Sequence, residues 1–487
     1  MKWRCFVSAG LLWACGSSGV AGSPDASDGS VGDAGVDASP VTVPSYERPI
    51  DLVFKVHLEP QGSLEYYKKR RDDVESVRKL AEQYGLKLTI HGNGEFWQYA
   101  REQGDEATVR TWLANKHTVG PHMHTVYCNP DGEHAWRTAK DQETADPAFV
   151  DDLWKDHERE LKALLPDVTI TEATPFDCDQ STFISRMDAH GYTTLGGGRE
   201  EISEQWMGHH PFHPWRIGGS YLAEDLGSKV VLVSHYAQFT EQDFHGPPTG
   251  SVFADQSLAH HQVGFLQIYL NRLHAERTGD AMDKVWVYGF LTHDNKSTQT
   301  VRAEIEKFLV WITTNFGSGK VSARGNAILK PSTMTDVYND FIAWEKEHPA
   351  TSSFNVKTPT MGAGQKINQL DEAQRKALYP GTFWGMAELL RADGEHVVDY
   401  VKPVDTFSGA GVSCHELSFG ERGNATKRAR RWLLWKETDG DVSIDMKNVA
   451  GKDTIRRWNP RDKTQATVSA SAVAIGNEPV IVDVGDP

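Results

Sequence analysis

Two histidines separated by one residue carry the clearest chemical signal in this sequence. In an extended backbone, residues i and i+2 point to the same side, so His122 and His124 can face one ligand together. Imidazole nitrogens are common ligands of Zn²⁺ and of other divalent transition metals. The Gly120-Pro121 pair before them is typical of a strand end. The spacing therefore predicts a Zn²⁺-type site at His122 and His124.

A second pair with the same spacing, His57 and Glu59, ends the first predicted strand. A carboxylate there can complete a metal site or act as a general base, and the spacing leaves open which group binds and which transfers protons. His293 ends a later apolar strand, and an imidazole suits the protonation of a leaving group because its ordinary pKa lies near neutrality. Reserve candidates follow other predicted strands: Asp177, Asp179 and His235.

These residues need a frame that brings distant strand ends together, and residues 50–345 alternate apolar strands with amphipathic helices. A helix predicted over 64–84 has apolar residues at helical spacing, and Val230–Val233 is typical of a buried strand. Such alternation indicates a parallel sheet covered by helices. We predict an α/β fold with a distorted or incomplete (β/α)7–8 barrel over residues 46–348. The alternative is a doubly wound sheet, although no glycine-rich phosphate loop follows the first strand.

The pattern changes after the predicted barrel. Residues 352–487 contain short alternating segments separated by turn residues such as Asp439-Gly440, which predicts a C-terminal β-sandwich. In a (β/α) barrel the active site lies at the carboxyl ends of the strands. The polar residues described above therefore belong to one predicted site.

The order of these motifs resembles the polysaccharide deacetylase superfamily, metal-dependent enzymes that remove N-acetyl groups from sugars on a (β/α)7-type barrel. Val119–His124 is similar to the histidine motif of that family. Thr174-Pro175-Phe176 is similar to its Pro-aromatic motif, and Leu291-Thr292-His293 to its late Leu-x-His motif. The resemblance covers residues 50–330.

The sequence departs from the family in three respects. The usual first motif has two adjacent Asp, where this chain has His57-Leu58-Glu59. The usual metal histidines are four residues apart rather than two. The Arg expected before Pro175 is replaced by Ala173, so Arg199 or Arg216 would take its place.

On this resemblance, Zn²⁺ or another divalent transition metal would bind Glu59, His122 and His124, polarise an acetamide carbonyl and lower the pKa of its water. His57 would be the base where the family has Asp, and His293 would protonate the departing amine. The implied reaction removes N-acetyl or O-acetyl groups from a polysaccharide. Further expected site residues are Asp177 as a reserve base or ligand, and Arg216, Trp215 and His235 as substrate contacts.

Two other functions fit parts of the same pattern. A barrel followed by a β-sandwich is a common glycoside hydrolase layout, with Glu172 and Glu59 as the carboxylates, which that mechanism needs ~5–10 Å apart. Metal dependence separates a deacetylase from this alternative. A non-catalytic carbohydrate-binding protein would bind metal without turnover and would use tryptophans as stacking platforms. The candidates in predicted loops or helix starts are Trp97, Trp136, Trp206 and Trp215.

The amino-terminal residues indicate an exported protein. Residues 1–15 combine basic residues with a short apolar stretch, and their end resembles a bacterial lipobox in which Cys15 would be lipidated. Residues 16–45 are rich in Gly, Ser, Ala and Asp and predict a flexible acidic linker. We expect a lipid-anchored protein of the bacterial cell envelope, in the outer membrane, or an extracellular protein. Cleavage near Ala21, with loss of Cys15, is the alternative.

The net charge and the number of cysteines exclude some classes of partner and of scaffold. The formal net charge of −16 argues against a nucleic-acid partner, which needs a basic surface. No apolar run approaches the ~20 residues that span a bilayer, so membrane contact is expected only through the lipid anchor. Five Cys are too few for a disulfide-built scaffold. Export nevertheless places Cys128 and Cys178, which follow neighbouring strand-end motifs, in an oxidising compartment and predicts a disulfide between them.

Overall fold

The chain is described by a computed structural model over most of residues 48–484. The described ranges are 48–59, 62–124, 127–132, 134–140, 143, 146–176, 180–197, 213–218, 224–234, 237–239, 256–278, 284–294, 299–321, 325–353, 396–421, 424–436, 438, 440–459, 464–476 and 478–484. The predicted export signal, Cys15 and the acidic linker lie outside these ranges. No helix within them is long and apolar enough to cross a bilayer.

Strands and helices alternate through residues 50–347, as the sequence pattern predicts. The strands are β1 (Ile50–Leu58), β2 (Leu88–Gly92), β3 (Thr118–His124), β4 (Tyr127–Cys128), β5 (Arg137–Thr138), β6 (Glu172–Phe176), β7 (Thr194–Gly197), β8 (Trp215–Arg216), β9 (Val231–Ser234), β10 (Ala237–Gln238), β11 (Trp286–His293) and β12 (Leu329–Ser332). The helices are α1 (Leu64–Gln83), α2 (Gly94–Glu102), α3 (Glu106–Ala114), α4 (Pro147–Leu164), α5 (Gln180–Met187), α6 (Gln256–Thr278), α7 (Gln299–Phe316) and α8 (Met334–Glu347).

The alternation builds one mostly parallel sheet with the order β10-β11-β1-β2-β3-β6-β7-β9-β8, and β12 pairs with the start of β1. Within this sheet β8 runs antiparallel to β9. β9 pairs with β7, whereas β10, which follows β9 after residues 235 and 236, pairs with β11. One short segment of chain therefore joins the two sides of the sheet and curls it. The prediction of a mixed α/β fold with a distorted barrel is confirmed at this level.

Strand β1 lies in the middle of the sheet and is buried along its whole length. Its even-numbered side chains join the large apolar cluster that includes α6 and α7, whereas Val53 packs on the opposite face against Val233. Lys55 shares that opposite face, since its Nζ donates a hydrogen bond to the backbone oxygen of Val233 at 2.8 Å. Because side chains alternate with a period of two, His57 and Glu59 point the same way as Lys55.

Two strand boundaries differ from the sequence prediction. The β-branched run Val168–Thr171 predicts a strand, but none forms there; β6 begins at Glu172, because its ladder with β7 starts at that residue. β3 continues to His124 instead of ending near Gly120, because the chain beyond Gly120 pairs with β6. Both histidines of the H-x-H motif therefore lie within a strand rather than in the loop that follows it.

Residues 396–484 form antiparallel sheets. The elements are β13 (His396–Pro403), β14 (Val412–Glu421), β15 (Asn424–Lys436), β16 (Val442–Ile444), α9 (Lys447–Ala450), β17 (Thr454–Trp458), β18 (Gln465–Ser469), β19 (Val473–Ile475) and β20 (Val480–Asp483). One sheet has the order β13-β14-β15-β20-β17-β18, and β16 pairs separately with β19. Leu433 and Trp435 of β15 share an apolar cluster with α6 and α7. The separate antiparallel sheets agree in part with the predicted β-sandwich, and the boundary between residues 348 and 352 stays a prediction.

Asp51, at the amino end of β1, gives the fold a predictable pH dependence. Burial raises the pKa of its carboxyl group to about 7, although Lys330 and Ser332 lie close to it. In the unfolded chain an Asp ionises near pH ~4. The folded state therefore binds more protons between about pH 4 and pH 7, and the free energy of unfolding falls as pH rises through this window.

Asp51→Asn has no carboxyl group to titrate at this position. Across the window, we expect the free energy of unfolding of the wild type to fall by about 2–4 kcal/mol more than that of Asp51→Asn. Urea unfolding at about pH 4.5 and about pH 7.5 measures the difference. Asp72→Asn is the matched control, because the Asp72 side chain is 69% exposed. Equal pH slopes in the wild type and Asp51→Asn would contradict the prediction.

Candidate functional site

Neighbouring strands bring histidines to one level at the carboxyl end of the sheet. His57 of β1 lies opposite His293 of β11 and opposite His91 of β2 in the parallel ladders. β3, the next strand beyond β2, supplies His122. The carboxyl ends of parallel strands are where barrels hold their reactive groups. These four imidazoles therefore lie where a site is expected.

Glu59 lies between two of these histidines. Its Oε1 is 3.2 Å from Nε2 of His293 and 3.7 Å from Nε2 of His122. The ring of His57 stacks on that of His122 with centroids 4.4 Å apart, and it meets the ring of His293 edge-on at 5.2 Å. The backbone N–H of Glu59 donates to Oδ1 of Asp294 at 3.2 Å, which joins the ends of β1 and β11. We call His57, Glu59, His122 and His293 the histidine–glutamate cluster.

A second set of ionisable groups adjoins this cluster inside the sheet. Nε2 of His91 is 3.2 Å from Oε1 of Glu172, and its Nδ1 contacts the hydroxyl of Thr174. The hydroxyl of Thr335, on α8, donates to the other oxygen of Glu172 at 2.6 Å. The rings of His91 and His57 are almost parallel, with centroids 6.4 Å apart. We call Lys55, His91 and Glu172 the inner charged layer.

Lys55 is the cation of the inner charged layer. Burial lowers the pKa of its amino group to about 7, while the negative charge of Glu172 acts in the opposite direction. His91 and Glu172 are 0% and 1% exposed, so neither is screened by water. A buried network of this kind is stable only while each member keeps its partners. Glu172 therefore links the sheet, α8 and the buried lysine.

Gly120 provides the space that His91 occupies. A Cβ atom built on Gly120 would lie 2.4 Å from the backbone oxygen of Glu172 and 2.9 Å from Cδ2 of His91. Distances that short are far inside van der Waals contact. The glycine before the histidine motif thus has a packing role, because any larger residue would displace the imidazole of His91.

The cluster suits a divalent transition metal in the type of its donors. An imidazole nitrogen and a carboxylate oxygen, both common ligands of such metals, come together as Nε2 of His122 and Oε1 of Glu59, and Nε2 of His293 approaches the same oxygen. As they stand, the described residues contain no group of three His, Cys, Asp or Glu spaced for metal coordination. The predicted ligand His124 ends β3, but its side chain lies outside the described part of the chain. Glu59 and His122 are thus the described donors.

Two predicted substrate contacts lie elsewhere in the fold. Trp215 is 0% exposed and packs with Leu232 in an apolar cluster. The guanidinium of Arg216 donates to both carboxylate oxygens of Glu345 at 2.6 Å and lies over the ring of Phe341. Because β8 pairs with β9 and faces α8, these two side chains are used in packing. A role of either residue in substrate binding stays a prediction.

Of the remaining predicted site residues, the structure describes some and not others. Asp177, Cys178 and His235 lie outside the described ranges. Cys128 is a buried free thiol rather than half of the predicted disulfide with Cys178. Burial raises the pKa of the Cys128 thiol, which keeps it in its less reactive protonated form.

The inner charged layer was not predicted from the sequence. Glu172 follows His91 by 81 residues, and no local pattern connects them. Lys55 did carry a signal, because a lysine two residues before His57 on an apolar strand must point the same way. Thr335 carried none, since its contact with Glu172 depends on how α8 packs.

Known proteins offer structural neighbours but no sequence match. No family model and no curated protein matches this sequence. A structure described as a polysaccharide deacetylase from Mycobacterium smegmatis is 9% identical, with a TM-score of 0.41 over 63% of this chain and 95% of that chain. Another so described, from Pseudomonas aeruginosa PAO1, is 12% identical, with a TM-score of 0.39 over 62% and 93%. One described as a glycoside hydrolase/deacetylase from Parabacteroides distasonis is 8% identical, with a TM-score of 0.37 over 82% and 83%.

These structural neighbours are of the kind that the motif resemblance names. At such identities and TM-scores the similarity identifies no functional residue. A function for this chain has to be argued from its own side chains.

Proposed function

We propose that this chain is a hydrolase that removes acetyl groups from a polysaccharide with the help of a divalent cation. The observation that carries the proposal is the convergence of His122 and His293 on one oxygen of Glu59, beside His57, at the carboxyl end of the sheet. This arrangement combines metal-type donors with further imidazoles that can move protons.

The cation would be held by Glu59 and His122, with His124 as the third ligand that the sequence predicts. A bound Zn²⁺-type cation polarises a carbonyl and makes water a better nucleophile at neutral pH. A carboxylate among the ligands offsets part of the cation's charge, which two neutral imidazoles cannot do. For this reason we assign Glu59 to the metal rather than to proton transfer.

The other two histidines of the cluster would handle the protons. His57 stacks on His122 and would accept a proton from the attacking water, in the position where the resembling family has Asp. His293 would donate a proton to the departing nitrogen or oxygen. Its contact with Glu59 at 3.2 Å fixes the direction of its Nε2. The two imidazoles meet edge-on, so each can face a different side of a bound acetyl group.

The glycoside hydrolase alternative is disfavoured by the position of Glu172. That mechanism needs both carboxylates on the scissile bond. Glu172 is 1% exposed, and its oxygens accept from Thr335 and contact His91. A sugar could reach it only if this network opened.

Metal content and acetate release test the proposal together. We expect purified protein to release acetate from an acetylated polysaccharide, to lose this activity on chelation and to recover it with Zn²⁺ or Co²⁺. Unchanged acetate release after complete chelation would contradict the metal dependence. Cleavage of the glycan without acetate release would support the glycosidase, and glycan binding without any product would support the non-catalytic protein.

Export of this activity is part of the proposal. The predicted signal over residues 1–15, with Cys15 as the lipidated residue, would place the hydrolase at the bacterial cell envelope. A polysaccharide of that compartment would be its substrate.

A further inference from the structure

We propose that Tyr127 and Trp136 form an aromatic platform that binds a sugar unit of the polymer next to the unit being deacetylated. This inference rests on the proposed function, which takes an acetylated polysaccharide as the substrate. The two rings stack with centroids 5.6 Å apart and an angle of 14° between their planes. Both side chains are partly exposed. Because each ring covers one face of the other, the pair offers its outer ring faces to a ligand, and such an aromatic face suits the C–H face of a sugar ring.

The platform lies on the loops that leave the cluster. β4, which contains Tyr127, begins three residues after the end of β3, and β5 follows Trp136 directly. Glu95, near the start of α2, accepts from the backbone N–H of Gly62 at 3.1 Å and is hydrogen-bonded to the Tyr127 hydroxyl. Gly62 follows Glu59 by three residues. The platform is thus tied to the loops after β1, β2 and β3, at the edge where the cluster lies.

The edge of the Trp136 indole ring is anchored to α2. Its Nε1 donates to Oε1 of Gln98, on α2, at 2.7 Å. A Cβ atom on Gly94 would lie 2.1 Å from the indole ring, so the absence of a side chain at Gly94 allows this approach. The contacts of Trp136 with α2 fix the ring plane without requiring that the indole be fully buried.

His157 of α4 joins the loops on which the platform stands. Its Nδ1 accepts from the backbone N–H of Gly94 at 3.0 Å, so that nitrogen carries no proton. Its Nε2–H then donates to the backbone oxygen of Tyr127 at 2.9 Å. His157 is 0% exposed and meets the Trp136 ring edge-on at 5.5 Å. One neutral imidazole therefore holds both the start of α2, which packs on Trp136, and the backbone of Tyr127.

β4 and β5 pair as an antiparallel hairpin, and this hairpin is anchored again through Asn129. The backbone N–H of Asn129 donates to Oδ2 of Asp156 at 3.0 Å, and its side-chain oxygen accepts from the backbone N–H of Ala135 at 3.1 Å. Rings that are fixed before binding lose little conformational freedom when a ligand stacks on them. The backbone and the ring edge of the platform are held by hydrogen bonds, while both side chains stay partly exposed. The platform is therefore preorganised for a ligand and is not part of the apolar core.

Binding of chemically defined oligosaccharides tests the platform separately from catalysis. The probes are hexa-N-acetylchitohexaose and an acetylated xylohexaose, titrated into the protein with chelator present so that no turnover occurs. We expect Trp136→Ala to weaken the binding of at least one probe about tenfold, the loss typical of removing one central aromatic anchor. Trp136→Phe keeps an aromatic face and should recover most of the affinity.

Tyr66→Ala is the matched control, since Tyr66 is an aromatic residue on α1 that is 56% exposed. It should bind like the wild type. Equal affinity of the wild type and Trp136→Ala, equal losses in Trp136→Ala and Tyr66→Ala, or failure of the wild type to bind either probe would overturn the platform. If binding follows the expected pattern but the metal-loaded protein releases no acetate in a separate assay without chelator, the proposed hydrolase is contradicted and the platform is supported.

Discussion

Replacing Glu59 by glutamine should remove the bound cation and abolish acetate release. Glutamine keeps the size of the side chain but not its charge, and the cation is then left with neutral donors. Loss of groups that merely support metal ligands costs about 10–100-fold in metal affinity, so loss of a ligand should cost more. Isothermal titration with Zn²⁺ measures affinity independently of activity. His122→Ala should give the same result, because His122 is assigned to the same cation.

The histidines assigned to proton transfer should behave differently. His57→Ala and His293→Ala are expected to keep the metal while acetate release falls by roughly 10²–10⁴-fold, the usual contribution of a general acid or base. His134→Ala is the matched control, since the His134 side chain is 40% exposed and binds Glu102. If Glu59→Gln keeps the metal and His57→Ala loses it, the two roles on β1 are reversed. A normal rate of acetate release by His293→Ala would show that His293 is not the general acid.

Replacing Glu172 by alanine should destabilise the fold by about 3–5 kcal/mol, the cost of removing one partner from a buried ion pair. His91 and Thr335 would lose their acceptor, and Lys55 would lose a compensating negative charge. Glu172→Gln should cost less, because an amide oxygen can still accept from Thr335. Urea unfolding monitored by tryptophan fluorescence measures both variants.

Glu306→Ala is the matched control for this prediction, because Glu306 is an exposed carboxylate on α7. It should unfold within about 0.5 kcal/mol of the wild type. Unfolding of Glu172→Ala at the wild-type urea concentration would show that the inner charged layer does not stabilise the fold. A folded Glu172→Gln protein that still releases acetate would also separate Glu172 from the chemistry, as its burial leads us to expect.

Local patterns in the sequence were sufficient to find the strand-end groups of the cluster. The period of two places His57 and Glu59 on one side of β1, and the apolar run before His293 ends a strand at that residue. The helix predicted over 64–84 agrees with α1 (Leu64–Gln83), because amphipathic spacing and capping residues are properties of neighbouring positions. The buried strand predicted at Val230–Val233 was also found from neighbouring positions, since it is a continuous apolar run.

The tertiary structure decided which of these groups meet. His122 and His293 reach the same oxygen of Glu59 because β3, β2, β1 and β11 follow one another in the curled sheet. The H-x-H motif lies inside β3 rather than after it, because pairing with β6 extends that strand. Trp215 packs in an apolar cluster and Arg216 binds Glu345, contacts that no local spacing indicated. Strand order and register arise from contacts between residues far apart in the chain, and no local spacing encodes those contacts.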